Sequence, residues 1–493
     1  MQPPVVAVIG GGVSGLAAAF ALRDAGVAVT VLEGSPRLGG KLEVSEVGGS
    51  QVDAGAEALL ARRPEGTGLI DAVGLSSGLV QPGTTSAGIW TRSQIRPLPR
   101  RQFMGVPADL DDLAATGIVS ADGLVRAEDD LTRPGDAVAG DESVTCRVGG
   151  RLGAEVVDRL VEPLLGGVYA GRCEDLSFEA TLPALAHVAR ERSSLIDAAA
   201  SLLPPAGGAP ARAGTQDAGP RPAPGAPAAV FTTLAAGLGS LPAALAGRSG
   251  ATVRTSAMVR ELARTPEGWR LTVGSAHAPE ALSADAVIIA VPARPASRLL
   301  AQVADGQAAA TALAEIKYAS MAILTLAYPE SAFPQPPAGS GFLVPAVDGR
   351  VVKAVTYSSN KWPHLRQTSP GLLIVRCSVG RLGEEAILQR EDAELATLAA
   401  ADLAAATGVR GAPIDVRVTR WGGGLPQYSV GHLDRVARIR AGVAKLPGVA
   451  VCGAAYDGIG IPACIGSARL AADQVLAYLG TRAPAGAGRR ETR

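Results

Sequence analysis

Val5-Val6-Ala7-Val8-Ile9 followed by Gly10-Gly11-Gly12-Val13-Ser14-Gly15 opens the chain, and the reading of these eleven residues decides the fold. The first five are apolar, mostly β-branched and ended by glycines, which predicts a short buried strand. The next six fit G-x-G-x-x-G at Gly10, Gly12 and Gly15. An Ala- and Leu-rich helix is expected over 16–25, closed by Gly26, and then a strand over 27–32 that delivers Glu33 at its tip. Each part has a physical role at a dinucleotide. The first glycine permits a tight turn, the second lets the backbone approach a pyrophosphate, and the third lets helix and strand pack closely. The helix N-terminus offers unpaired N–H groups to phosphate. Glu33 can accept hydrogen bonds from a ribose and disfavours a phosphorylated one, so the turn suits FAD or NAD over NADP.

Arg37-Leu38-Gly39-Gly40-Lys41 follows at once. It resembles the R-x-G-G-[KR] signature of the FAD amine oxidase-like superfamily, where the glycine pair and the basic residue approach the cofactor phosphates. The resemblance implies FAD rather than NAD. Strands around Gly48-Gly49 are expected to form a hairpin ending in Val52-Asp53-Ala54-Gly55-Ala56-Glu57-Ala58. In that superfamily such a segment passes close to the flavin ring, its small residues leaving room for isoalloxazine.

Composition bounds the rest. At 493 residues the chain exceeds one simple core, so two or three domains are expected. Lys+Arg and Asp+Glu balance at 46 each, which leaves no net field to attract nucleic acid. Five cysteines without C-x-x-C spacing argue against a disulfide framework and for a reducing, cytoplasmic setting. Four scattered histidines offer no metal-ligand spacing, so no metal is expected. The strand that starts at Val5 leaves no room for a signal peptide, and no apolar run reaches the ~18–20 residues of a spanning helix. A peripheral membrane contact stays open.

Along the chain, a helix is expected over 59–75 and a strand pair over 88–91 and 94–99. A helical stretch fills 100–203 and ends around a glycine-bracketed turn, 166–171. Residues 204–228 are low in complexity and read as a flexible surface insertion. Strands follow at 251–254, 258–262, 269–273 and 285–292, and a second unit over 300–415 carries strands at 321–328, 342–344, 351–357 and 372–378 with a helix at 392–407. A strand at 449–453 leads through a glycine-rich loop into a last helix, a second N-terminus suited to a pyrophosphate or to flavin O2, and 481–493 read as a disordered tail.

Three segments outside the nucleotide fold are more specific: Gly167-Val168-Tyr169-Ala170-Gly171 with Leu176-Ser177, Arg420-Trp421 with Leu425-Pro426-Gln427-Tyr428, and Gly453 to Pro462. Together with the opening turn they resemble the FAD-dependent porphyrinogen oxidases, which act on protoporphyrinogen or coproporphyrinogen. The resemblance implies an α/β fold: a Rossmann-like FAD-binding domain, a mixed α/β substrate domain and a helical subdomain. The FAD domain would comprise 1–88, 229–300 and 415–480, the substrate domain 89–100 and 301–414, and the helical subdomain 101–203. It also implies non-covalent FAD contacts at Gly10, Gly11, Gly12, Val13, Ser14, Gly15, Glu33, Gly34, Lys41, Gly55, Ala56, Glu57, Ala58, Val259, Trp421, Ile459, Gly460 and Ile461.

The chemistry it implies is successive hydride transfer from the porphyrinogen to flavin N5, with oxygen as acceptor and hydrogen peroxide released. No side-chain general base is expected. Porphyrinogens carry propionate arms, so cations should line the mouth of the slot, with Arg92 and Arg96 as candidates. The carbonyl of Gly167 is the candidate to face the pyrrole N–H groups. Coproporphyrinogen III, the more polar substrate, is the leading expectation for a chain without an anchor. The alternatives are protoporphyrinogen IX, a flavin amine oxidase, and a flavoprotein that binds a porphyrin without turnover. A transient contact with the next haem-pathway enzyme is expected by analogy.

Overall fold

The computed structural model describes residues 2–134, 140–204 and 230–482. Most of the low-complexity insertion and the tail from 483 onward lie outside the described residues. At the centre is a parallel sheet of five strands. Val5–Ile9 is flanked by Ala28–Leu32 and Ala286–Ile289, with Thr252–Arg254 and Val449–Val451 outside them, and all four pairings are parallel. Alternation along the strands feeds two cores, because successive side chains leave opposite faces. Val6, Val8, Ala286 and Ile288 pack under the helices Val13–Ala21, Leu241–Ser249 and Ile461–Arg482. Ala7, Ile9, Val287 and Ile289 pack on the other face against Ala293–Leu300, Gln307–Ala314, His432–Val443 and a three-stranded antiparallel sheet. That is the double cover a parallel sheet requires.

The second sheet has seven strands: Asp415–Pro426, Tyr318–Pro329, Leu372–Val379, Val352–Tyr357, Gly341–Leu343, Gly88–Thr91 and Gln94–Pro97, in that order. Only Gly341–Leu343 and Gly88–Thr91 run parallel. The helix Asp392–Thr407 covers one face, burying Leu395, Ala399 and Leu403 at four-residue spacing. The third body is helical, between Leu110 and Ser201, with its own apolar core. At its centre Asp130 is completely buried yet satisfied: it pairs with Arg151 at 2.5 Å and accepts from Ser194 Oγ and the Ile196 N–H.

Several local expectations change. The first helix begins at Val13 rather than 16 and ends at Ala21, and Gly26 takes φ +69° in the turn that follows. The single helix expected over 59–75 splits into a strand, Leu59–Leu60, and a helix, Pro64–Ala72. Pro64 is the reason: its ring disfavours helical backbone at Arg63 (φ −99°, ψ +105°), so the helix starts at the proline. Phe231–Leu234 is a strand that pairs with Leu59–Leu60 and Leu79–Val80. The boundary expected at 300/301 falls later, because Gln307–Ala314 buries Ala309, Ala310, Ala312 and Leu313 in the nucleotide-domain core. Residues 415–426, expected with the last FAD segment, form an edge strand of the seven-stranded sheet, paired along nearly its whole length with Tyr318–Pro329. The last helix runs on to Arg482, so 481 and 482 are not tail.

Candidate active site

The glycines of the opening turn are each required for a different reason. Gly10 takes φ +111°, and a Cβ there would lie 2.6 Å from the Ala290 carbonyl. A Cβ on Gly15 would lie 1.9 Å from the Gly10 carbonyl, so helix and strand meet at a distance only glycine allows. Gly12 is the opposite case: a Cβ there meets nothing within 4 Å. Gly12 caps the helix without a side-chain bond, and the first intrahelical bond runs from Leu16 N–H to Gly12 O. The N–H groups of Val13, Ser14 and Gly15 therefore precede the ladder and face an open side, the arrangement a phosphate needs.

Glu33 first ties the turn together. One carboxylate oxygen accepts from the Gly11 N–H at 2.6 Å and the other from the Ser35 N–H at 2.8 Å, leaving lone pairs for a ribose. Gly34 lies against Met258, and backbone bonds from Ala257 to Glu33 and from Ser256 to Ser35 bring the buried Val259 alongside.

The segment 37–41 lies along the same turn. Gly39 N–H donates to Gly11 O at 2.8 Å, and Gly12 and Gly39 form a parallel bridge. Burial pushes the Lys41 ammonium down from its ordinary value, and among the described residues no carboxylate lies within ion-pair distance of it. An ammonium held out of water beside open N–H groups fits a phosphate. Gly55 packs on the Lys41 carbonyl and the Trp421 ring, where a Cβ would stand 2.0 Å and 3.1 Å away. Trp421 donates its indole N–H to Ala54 O at 3.0 Å, and Ala56 N–H donates to Lys41 O at 3.1 Å. Glu57 is gripped by Lys361 at 2.5 Å and by Arg376, which also donates to Gly55 O at 2.7 Å. Burial alone would raise the Glu57 carboxyl; the two cations outweigh it and hold it at about 2. Ala58 packs against the Val47, Val52 and Trp362 cluster.

Ile459, Gly460 and Ile461 lead into the last helix, and Gly460 O accepts its early bond from Cys464 N–H at 3.0 Å. Burial raises the Cys464 thiol, while a hydrogen bond from Ser14 and the Lys41 charge pull it back. Three stretches far apart in sequence thus meet: the glycine turn, the 37–41 segment and the second helix N-terminus.

The three family-specific segments also interlock. Gln427 Nε2 donates to Tyr169 O at 2.7 Å, and Ser177 N–H donates to Tyr428 O at 2.8 Å. The Tyr428 hydroxyl donates to Ala454 O and accepts from Gly458 N–H, both at 2.8 Å, clamping the two ends of the glycine-rich loop. His432 stacks on the Tyr428 ring at 3.7 Å, and burial lowers its imidazole to about 4.

The substrate cations expected from the sequence are placed elsewhere. Arg92 sits in the turn of the outer hairpin at φ +51° and pairs with Glu155. Arg96 reaches the Thr116 carbonyl at 3.4 Å. Arg92 is ion-paired and Arg96 is turned toward the helical body, so both anchor the hairpin there, which corrects the expectation that they form a free cationic rim. Gly167 lies not in the expected glycine-bracketed turn but inside the helix Glu162–Tyr169, which ends only at Ala170 (φ +50°); it is exposed, and a Cβ there would stand 3.6 Å from Leu343 of the seven-stranded sheet. Beside it, Lys353 Nζ reaches Gly166 O at 3.4 Å, and Arg381 lines the same cavity. Neither was anticipated. A lysine inside Val351-Val352-Lys353-Ala354-Val355 was the available signal, since a lone charge in an apolar strand is rarely buried without a reason. Among the described residues no cluster of His, Cys, Asp and Glu could hold a metal, and no helix is long and apolar enough to cross a membrane.

A glycine turn, two helix N-termini and a buried lysine that meet around Ser14, Lys41 and Cys464, with Trp421 of the second sheet bonded to Ala54 beside them, are what an FAD-dependent oxidoreductase requires. The chain belongs to the flavin containing amine oxidoreductase family, whose model matches residues 13–476. It is 36% identical to the coproporphyrinogen III oxidase of Mycobacterium tuberculosis H37Rv, over 97% of this chain and 99% of that protein. It is 30% identical to the coproporphyrinogen III oxidase of Bacillus subtilis 168, over 96% and 98% respectively. A crystal structure from Exiguobacterium sp. 255-15, named there as a candidate protoporphyrinogen oxidase, superposes with a TM-score of 0.82 at 29% identity, covering 97% of this chain and 99% of that one.

Proposed function

We propose that this chain oxidises coproporphyrinogen III to coproporphyrin III. The observation that carries the reading is the interlock of 167–171, 425–428 and 453–460 through Gln427 and Tyr428. It ties the end of the helix Glu162–Tyr169, which carries the exposed Gly167 against Leu343 of the sheet, to the strand end at Gln427 and through Tyr428 to the glycine-rich loop. A nucleotide fold alone has no need of it, and the relatives named as coproporphyrinogen III oxidases share the full length that builds it.

In this reading Gly10 to Gly15 with Lys41 hold the pyrophosphate, Glu33 the ribose, and Gly34 with Val259 flank the adenosine end. Gly55 to Ala58, Trp421 and Ile459 to Ile461 enclose the ring. Bound FAD supplies two-electron oxidation, used three times to remove six hydrogens from the macrocycle, with oxygen as acceptor and three hydrogen peroxide molecules formed. The residues orient the substrate and keep the slot dry. His432, stacked on Tyr428, is kept in its neutral form by burial. A cytoplasmic setting and transient handover of the product to the next pathway enzyme belong to the same proposal.

Amine oxidases of the superfamily often place a lysine opposite flavin N5 on a strand comparable to Tyr318–Pro329, and this strand has none. The test is a side-by-side assay of the purified flavoprotein with coproporphyrinogen III, protoporphyrinogen IX and simple amines, following porphyrin fluorescence and peroxide. Porphyrin formation fastest from coproporphyrinogen supports the proposal. Peroxide from amines with porphyrinogens inert, or porphyrin binding without flavin reduction, refutes it.

A further inference from the structure

We infer that Lys353, with Arg381 beside it, forms a carboxylate socket that receives one propionate arm of the porphyrinogen. This rests on the porphyrinogen reading above and deepens it.

The placement of Lys353 comes from a fault in a strand. Val352, Val355 and Tyr357 all face the apolar core under the helix Asp392–Thr407. Regular alternation would put Val352 and Val355 on opposite faces. The register against Leu372–Val379 shifts between Val352 and Ala354, so Lys353 is the extra residue of a bulge. A bulge of this kind re-aims one side chain. Here it turns Lys353 away from the core, and its amine reaches the Gly166 carbonyl, 3.4 Å away, near the C-terminal end of the helix Glu162–Tyr169. Arg376, which grips Gly55 on the flavin wall, alternates with the core residues Val375 and Cys377 and so points to the same side of the sheet. Thr356 pairs with Arg376, and Lys353 lies three residues back along that strand, about 10 Å at ~3.3 Å per residue. The flavin wall and the Lys353 amine therefore stand at two ends of one face, with the C-terminal end of the helix Glu162–Tyr169 beside the amine.

Lys353 is buried without a carboxylate at ion-pair distance among the described residues. Lys353 is 4% exposed and Arg381 7%, and both line one small cavity with Gly166, Gly171, Glu162 and Val344. Arg381 donates to Val344 O at 3.1 Å and meets Glu384 at 3.5 Å, while Glu384 is held more closely by Arg172 at 2.9 Å. Glu162 lines the same cavity, accepts from Cys173 N–H at 3.4 Å, and is not within 4 Å of either Lys353 or Arg381; burial raises its carboxyl while Arg172 and Arg381 oppose the rise. Among the described residues Lys353 has no carboxylate within 4 Å, and a single carbonyl is a poor match for three donors. Burial lowers Lys353 to about 7, with Arg381 lowering it further and Glu384 opposing. One carboxylate from outside would satisfy both cations, the office Arg92 and Arg96 do not fill.

The test compares wild type with Lys353→Met and Lys353→Arg, all loaded with FAD, by KM and kcat for coproporphyrinogen III and by fluorescence titration of the product coproporphyrin III. Loss of an interaction made equally in ground and transition states raises KM and spares kcat. The expected result for Lys353→Met is a KM and a product Kd raised about tenfold or more, kcat within about threefold, and recovery of most of the affinity in Lys353→Arg. Unchanged KM and product affinity in Lys353→Met overturns the socket. So does an Arg variant as weak as Met, which marks a packing role. A site for a free inorganic anion is read from chloride: flavin spectra that respond to chloride in wild type only, with porphyrin affinity the same in both, also overturn it. If wild type itself fails with every porphyrinogen, the failure lies with the function and not with Lys353. Should Lys353→Met not accumulate as a flavoprotein, Arg381→Gln reads the same socket with the same expectations.

Discussion

Replacing Glu57 by glutamine removes the one negative charge between Lys361 and Arg376, whose side chains are 20% and 8% exposed. The size of the effect follows from the carboxyl itself. Holding it at about 2 instead of its ordinary 4.5 corresponds, at 1.36 kcal/mol per pH unit, to roughly 3 kcal/mol of stability at neutral pH. Breaking one side of a buried ion pair typically costs about 3–5 kcal/mol, so the two routes agree. The sign of the pH dependence is set by a lowered folded value: the contribution is complete above 4.5 and is lost as pH falls from 4.5 towards 2. In urea unfolding with FAD in excess, Glu57→Gln should be less stable than wild type by about 3 kcal/mol at pH 7. The gap should narrow by about 1.4 kcal/mol at pH 3.5, where the unfolded carboxyl is mostly protonated. A gap below about 1 kcal/mol at pH 7, or one indifferent to pH, would refute the reasoning and make the triad an incidental surface contact. Lys361→Met in the same background should then add little, since its partner is already gone.

Two further outcomes are expected. Lys41→Met should weaken FAD binding by about ten- to a hundredfold with the fold intact, because the ammonium is replaced by an apolar chain of similar length; flavin fluorescence on dilution measures it, and unaltered retention would remove Lys41 from the phosphate site. Tyr428→Phe leaves the Gly458 N–H and Ala454 O without their shared hydroxyl and should cost about 1–3 kcal/mol, seen as a lower thermal midpoint and faster flavin release.

How much of this was legible in the sequence depends on distance along the chain. Gly10 to Gly15, the strands around them and Glu33 were readable because each depends on neighbours within about thirty residues: turn geometry, strand period and a helix cap are local. The helix Asp392–Thr407 was readable to the residue for the same reason. Where a local breaker was overlooked the reading slipped, as at Pro64, which split one expected helix into a strand and a helix.

What the sequence by itself determined was therefore the nucleotide fold, the flavin signature and the family-specific segments. Only the tertiary structure decided what those segments do together. Tyr428 and Gly458 are thirty residues apart, Lys353 and Gly166 nearly two hundred, and nothing local to either member of a pair announces the other. The positive charges show this most plainly. Arg92 and Arg96 are typical substrate cations by type, yet the helical body brings up Glu155 to pair with Arg92 and the Thr116 carbonyl to hold Arg96. Lys353 looked like an interruption in an apolar strand, and a one-residue bulge turned it into the cation without a counter-ion. Type and pattern are written in the chain; which charges find partners is settled when distant surfaces meet.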